Sequence, residues 1–377
     1  MAVLAACLFT ACDGGAMAEL WKDELGNGSG SGSDPTPPPA PGTYTVSFNA
    51  NGGEGTMTQG SAEEGKDYTI PSNGFTAPAG TLRSFENWNT NADGTGTKYA
   101  EGTIPKEDIT KDITLYAQWT KPSFSVSTDK KVYFSKGNLQ ATIDKDGKPT
   151  AWKFAENQYD YLGTGGANKT IGSAAGDIDL FGWVGTSGAL NEYGISTSTT
   201  STDYGTSKTE TLKKDWGTAI DNAGTWRTLS KDEWVYLLKT RTSSTIGGTE
   251  NARFAKVKVA GKAGILLFPD VFEWTGDMGT APANCNTKNT DWTAVTDYTT
   301  ALFEEMEKAG VVFLPAAGGR YGSSVNDVGS YGYYWSATPY EFSSGYAYHL
   351  YFYDGNVNPA VINGRYGGRS VRLVCGE

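Results

Sequence analysis

Few residues in this chain have the types and spacing that catalysis requires. His349 is the only histidine, and a zinc site or a nucleophile–base–acid triad needs several such groups close together. No Gly-x-Ser-x-Gly segment, which would hold a nucleophilic serine on a strained turn, occurs. We therefore expect no catalytic residue, no metal site and no enzymatic activity. His349 is read as a half-exposed strand residue that can still contact a ligand.

Two further patterns suggest chemistry and are rejected on their details. Residues 163–170 nearly spell a phosphate-binding loop, but Asn168 replaces the glycine whose freedom lets the backbone wrap phosphate. Asp177 and Asp179 could supply oxygens to a cation, yet Ca²⁺ takes about six to eight. We expect no cofactor. Cys285 and Cys375 stand 90 residues apart, and the sequence leaves open whether they form a bridge or stay as two thiols.

Residues 318–369 have the composition of a contact surface. Ten of the 21 tyrosines lie there, among glycine, serine and asparagine. Antibody paratopes use the same residues, because tyrosine gives large amphipathic area at low entropic cost. The alternative is that the tyrosines are strand formers of an ordinary sheet. The expected ligand contacts are Tyr331, Tyr333, Tyr340, Phe342, Tyr346, Tyr348, His349, Tyr351, Tyr353, Asn363, Arg365 and Tyr366.

Composition narrows the class of partner. The net charge is −11, and no run of lysine and arginine is present to neutralise phosphates. Nucleic acid is therefore excluded, and a protein or a glycan is the expected ligand. We expect a monomeric head that meets the membrane only through a lipid anchor.

The first residues suggest how the chain reaches the cell surface. Residues 1–12 are a short apolar run that ends in Cys12, and they resemble a bacterial lipoprotein signal in which that cysteine is lipidated. Cys7 fits the same pattern, and a chance apolar start is the alternative. Residues 13–42 then form a Gly/Ser/Pro-rich tether. The resemblance implies export and anchoring to the outer membrane, with the folded part exposed.

Residues 43–120 alternate as strands do at both ends. Val46 and Phe48 precede the turn at residues 51–53, and Ile113 to Trp119 alternate apolar and polar residues. With Phe85 and Trp88, these residues resemble the Listeria–Bacteroides repeat, also called the internalin-type B repeat. The resemblance implies a small β-grasp-like stalk whose aromatic residues are core.

Residues 121–377 predict short strands and two helices. Strands are expected around residues 132–134, 139–143, 152–154 and 311–314. Ser230 and Glu233 have the spacing of a capping box that opens a helix running to about Arg241, and a second helix is expected from about Thr299 to Lys308. In the strand at residues 346–352, alternation places Tyr346, Tyr348, Leu350 and Phe352 on one face.

Several motifs of this region resemble the C-type-lectin fold in its bacterial form. They are residues 226–234, 272–277, 334–336 and 369–374, and the fold is shared with formylglycine-generating-enzyme-like proteins. The overall expectation is an α+β, β-rich chain. The closely spaced cysteine pair of those enzymes and the calcium-lectin sugar motifs are absent, so neither activity carries over. The end of the chain also resembles retroelement-diversified variable proteins, which implies that residues 318–369 are a variable binding region.

Three functions remain open at this point. The first is a cell-surface adhesin or receptor-like protein that binds through the tyrosine-rich face. The second is a structural or tip subunit of a surface assembly. The third and least favoured is a degenerate enzyme of the formylglycine-generating type.

Overall fold

The computed structural model describes residues 41–76, 85–100, 102–119, 122–221 and 225–376. The chain divides into two units, residues 1–42 and residues 43–377. Cys12 and the tether up to residue 40 lie outside the described residues. About 36% of the residues are in strands and 10% are helical, which confirms the β-rich class.

Residues 43–119 fold around their own core. β1 and β7 lie side by side and parallel at the centre of a five-stranded sheet of order β2-β1-β7-β4-β5, while β3 pairs with β6. The predicted alternation of β7 is confirmed, because Ile113, Leu115, Ala117 and Trp119 are buried together with Trp88. The strands are β1 (Thr43–Asn49), β2 (Gly60–Glu63), β3 (Tyr68–Thr69), β4 (Phe85–Asn89), β5 (Lys98–Tyr99), β6 (Thr103–Ile104) and β7 (Ile113–Trp119), with a 3-10 turn at Lys106–Asp108.

Residues 122–376 hold the remaining strands, most of them short. They are β8 (Phe124–Ser125), β9 (Lys131–Phe134), β10 (Leu139–Ile143), β11 (Pro149–Phe154), β12 (Gly176–Ile178), β13 (Trp226–Thr228), β14 (Phe254–Val259), β15 (Lys262–Leu267), β16 (Asp297–Tyr298), β17 (Val312–Pro315), β18 (Gly319–Tyr321), β19 (Ser324–Asn326), β20 (Gly332–Pro339), β21 (Tyr346–Tyr353), β22 (Asn356–Gly364) and β23 (Leu373–Gly376). The strands expected near residues 132, 139, 152 and 311 are all present.

These strands form several small sheets rather than one large one. The orders are β11-β10-β12, β13-β23-β9-β8, β16-β14-β15-β17, β18-β19 and β20-β21-β22. The sheet of β14, β15 and β17 is covered on both faces, since neighbouring residues such as Leu266 and Leu267 belong to different apolar clusters. One of these clusters joins it to the inner face of β20, β21 and β22 through Tyr334, Leu350 and Phe352.

Both predicted helices form, with one difference in geometry. Ser230 accepts a hydrogen bond from the backbone N–H of Glu233, whose carboxylate accepts one from the N–H of Ser230, so the capping box is confirmed. The helix α1 (Lys231–Val235) continues as a π-helical turn, Tyr236–Thr240, and stops before Arg241. The helix α2 (Thr300–Lys308) begins after its cap Thr299, as expected. Further 3-10 turns lie at Ser201–Tyr204, Trp216–Ala219 and Gly276–Met278.

The structure answers the question about the two cysteines and explains the rejected phosphate-loop pattern. Cys285 and Cys375 are not joined by a disulfide. The Asn168 side chain is buried, donates to Asp179 at 2.7 Å and accepts from the backbone of Asp179 and Leu180. Its side chain therefore serves local folding, which explains the asparagine at this point of the glycine-rich segment.

Candidate ligand-binding surface

The strand β21 distributes the predicted contact residues over both faces of its sheet. On one face Tyr346 is exposed and Tyr348 half-buried, but Leu350 is buried in the core. On the other face His349 is buried, whereas Tyr351 is half-buried. Alternate residues of a strand point to opposite faces, so each face is open at one end and covered at the other. The twelve predicted residues therefore do not form one surface.

The first group is called the open patch. Its members are Tyr340, Phe342, Tyr346, Tyr348 and Ile362. The ring of Tyr340 meets the rings of Phe342, Tyr346 and Tyr348 edge to face, at centroid distances of 5.4, 6.4 and 5.6 Å. Ile362 on β22 lies directly opposite Tyr348, which places the two side chains on the same face.

A second aromatic pair continues this surface. The strand register sets Gly364 opposite Tyr346. A Cβ atom on Gly364 would come within 2.5 Å of the Tyr366 ring, so that ring covers the backbone beside Tyr346. Tyr366 in turn meets Tyr321 edge to face at 5.5 Å.

The exposure of these side chains sets the surface apart from the rest of the molecule. Five large apolar side chains stand out as exposed in the described part of the chain. They are Phe342 (74%), Val271 (63%), Tyr321 (57%), Tyr346 (41%) and Ile362 (37%). Four of the five belong to the open patch and its flanking tyrosine pair. Clustered exposure of this kind marks an interaction surface, whereas single exposed apolar residues are common.

Polar groups border the open patch. The Tyr348 hydroxyl donates to Glu341 at 3.3 Å, and the Lys231 ammonium lies 4.9 Å from the centre of the Tyr348 ring. Burial and the Glu341 carboxylate raise the pKa of Tyr348, so its hydroxyl remains a donor. A Cβ on Gly345 would lie 3.6 Å from Ser201, which belongs to a run of serine and threonine residues.

The second group is called the tyrosine stack. Its members are Tyr331, Tyr333, Tyr351 and Tyr353. Tyr331 stacks on Tyr353 at 5.1 Å and Tyr333 stacks on Tyr351 at 5.2 Å, with interplanar angles of 15° and 27°. The rings cover one another's faces, so what they offer to a ligand is mainly edges and hydroxyl groups.

Polar contacts hold the tyrosine stack in place. The Tyr333 hydroxyl donates to Asp327 at 3.0 Å, and the Arg369 guanidinium lies 4.2 Å from the centre of the Tyr333 ring. Burial and the neighbouring rings of Tyr331 and Tyr353 raise the pKa of Tyr351 to about 12. The Tyr351 hydroxyl is therefore uncharged at neutral pH.

A buried cation supports each group from within. Arg365 donates from Nε to the carbonyl of Tyr346 at 3.1 Å and pairs with Glu210 at 2.5 Å. Its guanidinium also lies 4.4 Å from the centre of the Trp183 ring. Burial alone would raise the pKa of Glu210, but the Ser187 donors and Arg365 outweigh it and hold that pKa below its ordinary value.

Lys256 is the buried cation beneath the tyrosine stack. Its ammonium donates to the carbonyl of Asp354, next to Tyr353, at 2.7 Å and to the carbonyl of Lys288. The ammonium lies 5.6 Å from the centre of the Trp292 ring, and that indole donates to the carbonyl of Ser330 at 2.9 Å. Burial lowers the pKa of Lys256 to about 8.

Three of the predicted contact residues are buried, and the predicted exposure is wrong for them. His349 lies between Tyr333 and Trp335, and burial followed by the charge of Arg369 lowers its pKa to about 3. Arg365 is enclosed by Glu210 and Trp183, and Tyr333 by Arg369 and its stacked neighbours. The half-buried Asn363 accepts a hydrogen bond from the N–H of Gly364.

Sequence reasoning missed two exposed members of the surface. Tyr321 is the last residue of β18, and Ile362 is the cross-strand neighbour of Tyr348. Alternation along β22 could not have found Ile362, because the register of β21 and β22 shifts between His349 and Tyr351. Nothing local to Tyr321 indicates that it meets Tyr366.

The remaining candidate groups are the metal-ligating and nucleophilic side chains. Within the described ranges, no three His, Cys, Asp or Glu side chains come together in a group that could hold a metal ion. Asp179 is buried, and burial raises its pKa. Burial raises the pKa of the Cys285 thiol to about 12, which leaves it unreactive at neutral pH. None of the described helices is long and apolar enough to cross a membrane.

Two parts of the chain match known protein families. Residues 290–374, which include all the strands of both tyrosine groups, match a domain of unknown function (DUF8237). No curated protein and no solved structure matches the chain. Residues 44–118 match the Listeria–Bacteroides repeat domain, and this part of the chain is therefore a domain of that family.

Proposed function

We propose that this chain is a ligand-binding protein of the cell surface, of the adhesin or receptor type, and that the open patch is its contact surface. The observation that carries the proposal is the concentration of exposed apolar side chains. Three of the five large ones in the described residues lie in the open patch, and a fourth, Tyr321, lies in the tyrosine pair that flanks it. Leaving that area in water costs free energy that a bound ligand recovers.

The composition of the open patch and the packing of the backbone beneath it support the same function. Tyrosines supply large contact area with few rotatable bonds, and serine and threonine residues border them. Buried contacts hold the backbone beneath, because Tyr334 and Trp335 are buried and Arg365 donates to the carbonyl of Tyr346. A contact surface on a rigid frame loses little entropy on binding.

The finer parts of the proposal concern the surrounding architecture. In this proposal, the repeat at residues 44–118 is a β-grasp-like stalk and residues 121–377 are a C-type-lectin-like head. A lipid on Cys12 anchors the chain to the outer membrane, and residues 318–369 are a region diversified by a retroelement. The patch suits diversification, because exposed side chains can change at little cost in stability.

The test compares the full chain with a variant that carries both Tyr346→Ala and Tyr348→Ala. Binding is measured on a glycan array and in pull-downs from surface-protein extracts, and thermal unfolding is followed alongside. We expect the wild type to bind a ligand that this variant does not bind. A matched control, Tyr331→Ala/Tyr353→Ala, removes two tyrosines from the stack and should keep binding.

Two results would count against the proposal. If the double variant of the open patch binds as the wild type does, the contact surface is elsewhere. If no ligand appears and the chain copurifies with subunits of a surface assembly, a structural role replaces the binding role. An enzymatic role would require turnover, and the proposal includes none.

A further inference from the structure

We propose that the ligand of the open patch is a folded protein, and that Phe342 is the anchor that enters an apolar pocket of that partner. The inference rests on the proposed function and narrows the ligand from a protein or a glycan to a protein.

Phe342 projects from an ordered turn. It is the most exposed of the large apolar side chains in the described residues. It lies between β20 and β21, where the N–H of Tyr340 donates to the carbonyl of Tyr346 at 3.1 Å and the N–H of Tyr346 donates to the carbonyl of Ser343 at 3.3 Å. The Tyr340 ring packs against Phe342. These contacts order the turn and leave the Phe342 ring largely in water.

A projecting ring requires a concave partner. Only a pocket can remove water from most of the surface of a side chain that stands out of its surroundings. A sugar residue lies on a flat ring or fills a cleft, and it has no pocket in which to enclose a phenyl group. Proteins supply such pockets, and aromatic anchors inside them dominate the energy of protein–protein interfaces.

The polar groups of the patch are also poorly arranged for a glycan. Sugar recognition needs donors and acceptors directed at ring hydroxyl groups. The Tyr348 hydroxyl already donates to Glu341. Ile362 adds aliphatic surface to which hydroxyl groups cannot bond. These side chains therefore suit a dry, mostly apolar contact.

The charges at the edge of the open patch indicate which residues should surround the pocket of the partner. Glu341 is exposed beside Phe342, and Asp232 is largely exposed beside Lys231, which it pairs with at 3.3 Å. The chain as a whole carries −11. A partner with basic residues around its apolar pocket complements this edge. The same charge disfavours an anionic bilayer as the occupant, since like charges repel.

The experiment uses the full chain and a naive display library of folded single-domain proteins as the probe. Binders are selected against the wild type, and each is then measured against Phe342→Ala, Tyr346→Ala and Val271→Ala. Val271 is the matched control, because it is an exposed apolar residue outside the patch. The wild type is also applied to a glycan array and to vesicles of phosphatidylethanolamine and phosphatidylglycerol.

We expect most selected binders to weaken about 30-fold or more on Phe342→Ala, as a central anchor does, and to be unaffected by Val271→Ala. The glycan array and the vesicles should give no binding. Binders that tolerate Phe342→Ala, or vesicle binding that Phe342→Ala abolishes, would overturn the inference.

Two further outcomes separate this inference from the proposed function. Glycan binding that disappears with Tyr346→Ala would overturn the protein partner and leave the open patch as the ligand site. Binders that are indifferent to both Phe342→Ala and Tyr346→Ala would count against both proposals, because the selected surface would then lie outside the open patch.

Discussion

The open patch and the tyrosine stack draw on the same strand and the same residue type, and they differ in what surrounds them. In the stack, each ring is packed on another ring, and Asp327 and Arg369 fix Tyr333. In the open patch, the rings meet only at edges, and Phe342 and Tyr346 remain exposed. Tyrosine content alone therefore does not distinguish a contact surface from a structural one.

The difference follows from what covers each end of β21. Near Ala347 and His349, the outer face is closed by Trp335, whose indole donates to the carbonyl of Phe181 at 2.7 Å. Near Leu350 and Phe352, the inner face is closed by the main core. A tyrosine that neither Trp335 nor the main core covers has either water or another tyrosine as its neighbour. Replacing a tyrosine that packs on another tyrosine should change stability, and replacing one that faces water should change binding.

The largest expected effect comes from the cation beneath the open patch. Arg365→Met leaves Glu210 buried without its charged partner, and such a loss typically costs about 3–5 kcal/mol in the free energy of unfolding. Urea unfolding followed by tryptophan fluorescence measures it. The double variant Arg365→Met/Glu210→Met should recover part of the loss, because no unpaired charge remains. Normal stability with lost binding in the single variant would show that Arg365 is a contact residue instead.

A smaller loss is expected within the tyrosine stack. Tyr333→Ala removes a buried ring that stacks on Tyr351 and carries the Arg369 contact, which should lower the free energy of unfolding by about 3 kcal/mol. Tyr333→Phe removes only the hydroxyl bond to Asp327 and should cost about 1 kcal/mol. Equal stability of Tyr333→Ala and the wild type would erase the distinction between the two groups.

Much of this arrangement was predictable from local pattern, and the rest was not. The capping box at Ser230, the helix after Thr299 and the alternation of β7 follow from spacing alone, and the structure contains all three. The alternation within β21 also assigned its residues to the correct faces. However, the residues that cover half of each face of β21 come from distant parts of the sequence. Glu210 meets Arg365 across 155 positions, and no local pattern encodes such a pair.

The cation beneath the tyrosine stack gives a pH-dependent prediction. The pKa of Lys256 is about 8 in the folded chain and about 10.4 in an unfolded one. Between these values the unfolded chain binds more protons, so stability rises with pH. We expect the free energy of unfolding of the wild type to increase relative to Lys256→Met from pH 8 to 10. Parallel curves for the two proteins would show that burial does not perturb this lysine.

The smallest effect on stability is expected in the open patch. Phe342→Ala removes a side chain that is 74% exposed, and Tyr346→Ala removes one that is 41% exposed, so both lose less buried area than Tyr333→Ala. The free energy of unfolding should fall by no more than about 0.5 kcal/mol for Phe342→Ala and by about 1 kcal/mol for Tyr346→Ala. Differential scanning calorimetry on these variants and on Tyr333→Ala puts the two groups on one scale. A cost near 2 kcal/mol for Tyr346→Ala would mean that its ring is part of the fold. The ligand contacts would then lie among the other members of the open patch, with Phe342 as the most exposed, or among the hydroxyl groups of the tyrosine stack.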